Sequence, residues 1–457
     1  GDIECNNMNI ADLTGIEAFT TINSLYCDSN QITSINVSNN TLLEVLECNN
    51  NQLASIDISN NSLIYQFRCE NNQITSIDLS NNMSFESLGC SYNQLTSLDI
   101  SSNTMLGFLD CGFNQLTSLD VSQNTALYGL SCLYNQITSL DVSTHTSLGS
   151  LDCRHNLIPL LNLNPNAPLG FLNTSTNQLT SLDVSNNTAL TYLHCGNNQL
   201  TSLDVSQNTA LYHLSCGGNP LLNLDVTQNT DLKELQCNSN QLSNLDITQN
   251  ISLQELHCGD NQLTTLDISN NNALIYLDCG HNQLANVDLT QNIYLEYLNC
   301  TNNQLSNLDV TQNNSLEDLN CGDNQLTTLD VSNNNELIYF DGGYNQLTDL
   351  NLRNGNNINM DTSYYGFYLG NNPNLYCIDV DDTVWSNNNW TVASGNIDPQ
   401  HYFSNNCSGT TDLEEHTTNK ELLKVTDLLG RETKQTNQPL IYIYDDGTVE
   451  KRIVIEQ

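Results

Sequence analysis

Basic residues are scarce in this sequence, in which 10 lysines and arginines stand against 51 aspartates and glutamates. Only Arg68, Arg154, Lys233 and Arg353 precede residue 420. Phosphate groups are bound by clustered lysine and arginine, so this shortage makes nucleic acid and anionic lipid poor partners. Cations and neutral or basic ligands remain as candidates.

Long apolar runs and catalytic motifs are also missing. No stretch of about eighteen apolar residues is present, which argues against membrane insertion. The patterns H-E-x-x-H, G-x-S-x-G, C-x-x-C and G-x-G-x-x-G do not occur, so we expect a protein that is not an enzyme. The chain begins at Gly1 in the middle of a repeat and has no signal peptide, which predicts a mature or trimmed form.

What the chain does contain is a repeat of 21 residues, for which "CGFNQLTSLDVSQNTAL" at 111–127 is typical. Fourteen of the 17 cysteines follow this spacing, with one step skipped at Thr174. A fixed period of this length indicates a solenoid in which each repeat buries its apolar face against the next. About sixteen repeats fill residues 22–357, and at about 4.8 Å per rung they predict a rod of roughly 75 Å.

Alternation within each repeat separates core positions from outward positions. In "FLDCG" the side chains of Leu109 and Cys111 should point inward, whereas Phe108 and Asp110 should point outward. Leu116, Leu119 and Val121 complete the predicted core from the returning half of the repeat.

Two asparagine columns and the cysteine column are interpreted as structural. Asn114 and its equivalents recur in every repeat, and a carboxamide offers donors and an acceptor where the backbone bends. A second column, which includes Asn124, should occupy turns. The repeated cysteines could form disulfides or bind a soft metal, but an inward position with one thiol per rung favours a buried, apolar role.

The leucine, cysteine and asparagine positions of the repeat resemble the internalin type of leucine-rich repeat, in its 21-residue form with a cysteine ladder. The resemblance covers roughly three quarters of the chain. It implies a β-rich leucine-rich-repeat solenoid with a parallel β-sheet on its concave face. Internalin-like proteins also suggest an adhesin, although a shared fold does not fix a function.

A column of thirteen aspartates follows the same period and poses an electrostatic problem. Unit charges about 4.8 Å apart repel by nearly 1 kcal/mol even in water. Hydrogen bonds from serines such as Ser118 and Ser122 could relieve this repulsion. Bound calcium is the alternative, with Asp99, Asp120 and Asp141 as candidate ligands. No other cofactor or metal site is predicted.

Outward aromatic and polar side chains are the candidate ligand-binding residues of the concave face. Exposed rings beside polar groups suit either a partner's side chains or sugar rings, although stacked aromatics also stabilise sheets without binding anything. The predicted site comprises Tyr92, Phe108, Asp110, Phe113, Tyr134, Phe171, Tyr192, His194, His213, Tyr276, Tyr297, Tyr339 and Tyr344.

Residues 358–407 break the repeat and are predicted to cap the open end of the solenoid. Cys377 and Cys407 lie there, outside the cysteine column, and we expect them to form a disulfide. The predicted organisation is therefore a partial repeat at 1–21, the solenoid at 22–357 and the cap at 358–407.

A linker at 408–419 and a small β domain at 420–457 complete the chain. The alternation in "LIYIYDDGTVEKRIVI" predicts a hairpin around Asp446 and Gly447. These last residues resemble the C-terminal sorting domain of the type IX secretion system of Bacteroidota, with matching positions at Gly430, Arg431 and Lys451. The resemblance implies recognition by the secretion machinery, export across the outer membrane and an extracellular or cell-surface location.

The sequence thus predicts a secreted, adhesin-like binding protein whose ligand is a protein or a carbohydrate. Self-association into a surface rod and calcium binding are the alternatives.

Overall fold

The computed structural model of the chain describes residues 1–407 and three further strands, Leu422–Thr426, Pro439–Tyr444 and Val449–Ile453. It divides into a unit at Gly1–Asn405 and a unit at Asn406–Gln457, which are described separately. The helices within the described residues are all too short or too polar to cross a lipid bilayer.

The first unit is a leucine-rich-repeat solenoid built on one parallel sheet of eighteen strands. From Ser24 to Asp341 each strand pairs with its equivalent 21 residues later, as Tyr276 pairs with Tyr297, whereas the first pairing of the sheet joins Asp2 to Ser24 and the last joins Phe340 to Phe367. The sixteen predicted repeats each supply one strand, and Asp2–Glu4 and Phe367–Tyr368 add one more at each end. The other sixteen strands are Ser24–Tyr26, Val45–Glu47, Gln66–Arg68, Ser87–Gly89, Phe108–Asp110, Gly129–Ser131, Ser150–Asp152, Phe171–Asn173, Tyr192–His194, His213–Ser215, Glu234–Gln236, Glu255–His257, Tyr276–Asp278, Tyr297–Asn299, Asp318–Asn320 and Tyr339–Asp341.

The returning half of each repeat is mostly irregular, and only a few rungs form a second set of paired strands. Leu140–Asp141 pairs with Leu161–Asn162 in a sheet of two strands. A sheet of four strands comprises Thr328–Asp330, Asp349–Asn351, Cys377–Asp379 and Tyr402–Ser404. Two short 3₁₀ helices, at Ile16–Ala18 and Asn357–Asn359, lie near the ends of the solenoid.

The core of the solenoid lies between the long sheet and the returning halves of the repeats. The predicted core positions are confirmed. Leu109, Cys111 and Leu116 are fully buried, and Leu119 and Val121 are buried from the returning half. Since each rung exposes its core edge unless a neighbour covers it, the stability of the solenoid comes from stacking of adjacent repeats.

The first asparagine column connects three segments of backbone in every rung. The side-chain amide of Asn114 donates to the carbonyl oxygens of Cys90, Cys111 and Gly112 at 3.0, 3.2 and 3.1 Å. Its Oδ1 accepts a hydrogen bond from the backbone N–H of Leu95 at 2.9 Å. All of these groups are buried, so the column satisfies backbone polar groups that water cannot reach.

The second asparagine column joins the returning turns of adjacent rungs. Asn124 donates to the carbonyl oxygens of Ile100 and Asn103 at 3.0 and 2.8 Å. His145 takes the place of asparagine in the next rung, where its Nε2 contacts the carbonyl oxygen of Val121 at 3.1 Å. A buried histidine is therefore a structural substitute in this column.

The cysteine column consists of free, buried thiols. The thiol of Cys27 contacts the carbonyl oxygen of Glu47, one rung away, at 3.4 Å. Burial raises the pKa of these thiols, to about 12 for Cys216. Thr174, at the skipped step, makes the equivalent contact to the carbonyl oxygen of His194 through its hydroxyl. The column thus behaves as a packed apolar row with one weak donor per rung.

Residues 358–405 extend the solenoid instead of only covering its end. The strand Phe367–Tyr368 continues the long sheet, and Asn372 donates to the carbonyl oxygens of Gly342 and Leu369 as the repeat asparagines do. The helix Thr383–Asn389 begins after Asp382, whose side chain accepts from two backbone N–H groups. Cys377 and Cys407 are both disulfide-bonded.

The described strands of the second unit form an antiparallel sheet. Pro439–Tyr444 pairs with Val449–Ile453, in agreement with the hairpin that the alternation predicts. Lys451 lies in the second of these strands. The linker at 408–419, the turn residues Asp446 and Gly447, and the motif residues Gly430 and Arg431 fall outside the described residues.

Candidate ligand-binding face

The outward positions of the long sheet are the first and third residues of each strand. In Tyr276–Asp278, for example, Leu277 is buried while Tyr276 and Asp278 are half-buried and face outward. We call these positions the strand face. Nine predicted site residues lie on it: Phe108, Asp110, Phe171, Tyr192, His194, His213, Tyr276, Tyr297 and Tyr339.

Tyr92, Phe113, Tyr134 and Tyr344 do not lie in strands, and their assignment to outward strand positions is wrong. Each lies on the turn that follows its strand, with φ between 50° and 53°. The backbone must turn there before the buried asparagine, and the left-handed conformation achieves this. It is a strained conformation for a bulky residue, and Gly218 occupies the same position in another rung.

Rings at this turn form a continuous stack of four. The ring centroids of Tyr92 and Phe113 are 4.0 Å apart, those of Phe113 and Tyr134 are 4.4 Å apart, and those of Tyr134 and His155 are 3.9 Å apart. All three pairs are nearly parallel. Within the stack the ring faces cover one another, so mainly ring edges are exposed. We call these four residues the turn stack.

Replacing Phe113 with alanine is expected to lower the free energy of unfolding by about 1–3 kcal/mol, because two stacked pairs are lost at about 0.5–1.5 kcal/mol each. Asn197→Ala is the matched control, because Asn197 has the same left-handed backbone but no ring neighbour. Urea unfolding of both variants measures the difference. Equal effects of the two substitutions would contradict a stabilising role for the turn stack.

A second ring cluster lies on the strand face. Tyr192 stacks on Phe171, His194 and His213, with centroid distances of 4.9, 4.4 and 4.2 Å. His213 is buried, although the sequence places it at an exposed outward position. Its Nδ1 lies 2.8 Å from Oε2 of Glu234, and its Nε2 contacts Nε2 of His194.

These contacts define the tautomers of the two histidines. If Nδ1–H of His213 donates to Glu234, its Nε2 carries a lone pair and accepts from Nε2–H of His194. Burial lowers the pKa of His194 to about 4, with a further contribution from His213. Burial also lowers the pKa of His213, against the opposing effect of Glu234. Both rings are therefore neutral at pH 7.

A third cluster continues along the same face. His257 stacks on Tyr276 with a centroid distance of 4.4 Å, and Tyr276 lies parallel to Tyr297 at 4.1 Å. Asp318 and Asp341 follow on the next two rungs. Burial, followed by the nearby Asp341, raises the pKa of Asp318 to about 6.

Charge on this part of the strand face has one sign. Between residues 171 and 341 the outward strand positions contain no lysine or arginine. They contain the carboxylates Glu234, Glu255, Asp278, Asp318 and Asp341. We call these positions, from Phe171 to Asp341, the acidic aromatic face. In the N-terminal half, by contrast, Arg68 pairs with Glu47 and Glu70, and Arg154 pairs with Asp152.

Asp318→Asn is expected to stabilise the protein at pH 7. The folded pKa is above the unfolded value, so ionisation of Asp318 costs stability as the pH rises from about 4 through 6. The variant should gain about 1–2 kcal/mol at pH 7, reduced from the full shift by solvent screening, and nothing near pH 3. Urea unfolding across this pH range is the measurement.

Asp309→Asn is the control on the opposite side of the rungs. Hydrogen bonds from the side chain and backbone of Thr311 lower the pKa of Asp309, so its stabilising contribution is present at neutral pH and is lost as the pH falls through the folded pKa. This substitution should not stabilise the protein at pH 7. A gain at pH 7 for Asp309→Asn that matches the gain for Asp318→Asn would contradict the assignment.

The aspartate column lies on the returning half of the rungs, away from the strand face. Oδ1 of Asp120 accepts from the backbone N–H of Ser122 at 2.9 Å, and Asp99 accepts from the backbone and hydroxyl of Ser101. Asp141 accepts from the backbone N–H of Ser143 at 2.9 Å. The donors are residues two positions later, and they lower the pKa of each carboxyl group. Calcium binding to this column stays a prediction.

Two features escaped the sequence interpretation. Glu234 and Glu255 pair directly on adjacent strands, and their carboxylates approach His257. A periodic glutamate beside an outward histidine is the signal that could have identified them. A groove lined by Tyr65, Arg68, Met105 and Tyr128 also lies beside the strands Gln66–Arg68 and Ser87–Gly89. The residues that line this groove occupy repeat positions at which the residue type changes from rung to rung, so no periodic pattern in the sequence identifies the groove.

No family model matches the chain, and no curated protein matches it. Among solved structures, the chain is similar to the functional domain of InlJ from Listeria monocytogenes, which includes a cysteine ladder. The identity is 28%, the TM-score is 0.56, and the match covers 98% of this chain and 88% of that chain.

Two further similarities concern the fold alone. An internalin from Listeria monocytogenes, InlF, is 24% identical over 64% of this chain and 85% of its own, with a TM-score of 0.54. The ectodomain of the Arabidopsis thaliana receptor kinase GASSHO1/SCHENGEN3, solved with CASPARIAN STRIP INTEGRITY FACTOR 2, is 19% identical with a TM-score of 0.62. That match covers 87% of this chain and 57% of the ectodomain.

Proposed function

We propose that the protein is a non-enzymatic, extracellular binding protein whose ligand is a protein that docks on the acidic aromatic face. The observation that carries this proposal is the run of stacked rings between Phe171 and Asp341, together with carboxylates that have no lysine or arginine beside them at the outward strand positions. Aromatic anchors supply contact area, and charges around them supply specificity. The resemblance of the fold to a receptor ectodomain solved with a factor that it binds supports the same role.

The chemistry of the face favours a ligand that carries lysine or arginine beside aromatic side chains. Carboxylates that are half-buried and close to one another are costly to ionise, and a cationic side chain relieves that cost. Asp318 meets this description, because its pKa is raised to about 6 by burial and by Asp341. The net charge of −41 would also accelerate the encounter with a basic partner.

A carbohydrate ligand on the turn stack is less favoured. Sugar rings pack against flat aromatic faces, and the faces of Phe113 and Tyr134 are covered by their neighbours in the stack. Self-association is also less favoured for the acidic aromatic face, because two copies would bring carboxylates against carboxylates.

Selection from a random-peptide display library on the immobilised full chain tests the proposal. Peptides that combine lysine or arginine with aromatic residues should be enriched. Synthetic peptides from the selection should bind Tyr192→Ala/Tyr297→Ala at least about tenfold more weakly than the parent. The control Tyr294→Ala, an exposed tyrosine outside the strands, should bind as the parent does. Enrichment of acidic peptides, or equal binding by the double variant, would overturn the proposal.

The resemblance of the tail to a type IX sorting domain supports export through that machinery. The described part of this unit is a small antiparallel sheet, in keeping with a compact β domain. Deletion of residues 420–457 from the chain expressed in a Bacteroidota host should keep the protein from the culture medium and the cell surface, as immunoblotting of cell fractions would measure. Unchanged export after the deletion would contradict this assignment.

A further inference from the structure

Three side chains on two adjacent rungs of the strand face bring their donor atoms together. The carboxylates of Glu234 and Glu255 and the imidazole of His257 each offer one ligand atom, and these atoms lie within 4.8 Å of one another. Within the described residues, no other group of three histidine, cysteine, aspartate or glutamate side chains meets this criterion. Spacing of this kind allows one cation to contact all three.

The strands fix this geometry. Glu234 and Glu255 are directly paired in the parallel register, and Gln236 pairs with His257 in the same two strands. Like charges on neighbouring rungs repel, and within the described residues neither glutamate has an ion pair with lysine or arginine. A bound cation would remove that repulsion, because it supplies the missing positive charge.

Neighbouring side chains already hold the donors in place. The side chain of His213, which is 8% exposed, lies with Nδ1 at 2.8 Å from Oε2 of Glu234, and Gln236 donates to Oε1 at 2.6 Å. His257 lies against the ring of Tyr276. Outer contacts of this kind orient metal ligands and tune their basicity. His213 is thus a positioning residue for Glu234.

We propose that Glu234, Glu255 and His257 form a binding site for one divalent transition-metal ion, for which zinc is the best match. Two carboxylate oxygens and one imidazole nitrogen are ligands that zinc accepts, whereas imidazole is a poor ligand for calcium. Three protein ligands leave a coordination position open toward the strand face, where a donor from another molecule can enter. Half of the Glu255 side chain is exposed, so the ion can reach the site.

Isothermal titration calorimetry, in which zinc is added to the metal-free full chain, tests this site. One equivalent should bind to the parent, and this binding should be weakened at least about tenfold in Glu255→Gln/His257→Gln. The matched control is Glu296→Gln/His281→Gln, which changes the same residue types at exposed positions outside the cluster and should bind zinc as the parent does. Thermal unfolding of the metal-free proteins should be alike, so a loss of binding cannot be attributed to a loss of fold.

Cobalt provides a second readout, because its visible absorption reports the ligands around the bound ion. The parent should show a cobalt spectrum that the double variant lacks, and His213→Gln should alter the spectrum and weaken binding about 10- to 100-fold. Millimolar calcium should leave zinc binding unchanged. Zinc binding that survives in Glu255→Gln/His257→Gln, or that calcium displaces, would overturn the proposal. These measurements need no partner protein, so they do not depend on the proposed function.

Discussion

Replacing Asn303 with alanine is expected to reduce the free energy of unfolding by about 3–5 kcal/mol, although only one small polar side chain changes. Its side-chain amide donates to the carbonyl oxygens of Cys279, Cys300 and Thr301 at 3.0, 3.1 and 3.2 Å. Its Oδ1 accepts from the backbone N–H of Leu284 at 2.9 Å. The N–H of Leu284 is left without its partner, which costs about 1–3 kcal/mol. Each of the three carbonyl groups loses one hydrogen bond, worth about 0.5–1.5 kcal/mol, and keeps the one donated by Asn282, Asn324 or the N–H of His281.

Urea unfolding and amide hydrogen exchange measure this effect. Because each rung contacts only its neighbours, the damage should be local, and the N–H of Leu284 should exchange faster than those of distant rungs. Asn303→Asp should be at least as damaging at pH 7, since a carboxylate cannot donate to three carbonyl groups. The adjacent, exposed Gln304 provides the control, and Gln304→Ala should change stability by less than about 0.5 kcal/mol. A mild effect of Asn303→Ala would show that the column is dispensable.

Trp390→Ala is expected to destabilise the C-terminal end of the solenoid by about 3–5 kcal/mol. Trp390 is fully buried, lies parallel to Phe367 with a centroid distance of 4.1 Å, and meets Trp385 edge to face. Phe367 belongs to the last strand of the long sheet, so loss of the indole removes the packing that covers that strand. A cavity of this size cannot be filled by neighbours that remain attached to the sheet.

Limited proteolysis and thermal unfolding check the prediction. Cleavage should begin in residues 358–405 and advance toward the N-terminus, because the uncovered rung exposes the next apolar edge. Trp385→Ala is the matched control, since Trp385 is only partly buried and should give a smaller loss. Cleavage in the Trp390 variant that begins instead in the N-terminal rungs would contradict this role for the end of the solenoid.

Periodicity predicts the framework of the fold well because each core position is constrained in every rung. Leu109, Cys111 and Asn114 recur at fixed phase, and a change at any of them would disturb two neighbours. The added rungs after residue 357 could not be found in this way. Asn372 continues the asparagine column there, but the loops before it differ in length from those of the repeat.

The candidate site was predicted only in part, for a physical reason that Phe113 illustrates. Aromatic residues are enriched in strands, so the sequence favours a position on the sheet for Phe113. The structure instead places Phe113 in a left-handed turn, three residues after the strand Phe108–Asp110 ends. Stacking on Tyr92 and Tyr134 favours a ring where backbone preference disfavours one. Side-chain contacts between rungs, such as Glu234 with His213, depend on rotamers that no spacing in the sequence encodes.

The buried thiols of the solenoid have a consequence for how the chain must fold. Fifteen free cysteines are protected only once the rungs have closed around them. In an oxidising solution an unfolded chain would offer all of them for mispairing, whereas the folded chain exposes none. Folding therefore competes with oxidation, and the yield of refolded protein should depend on the order in which reductant and denaturant are removed.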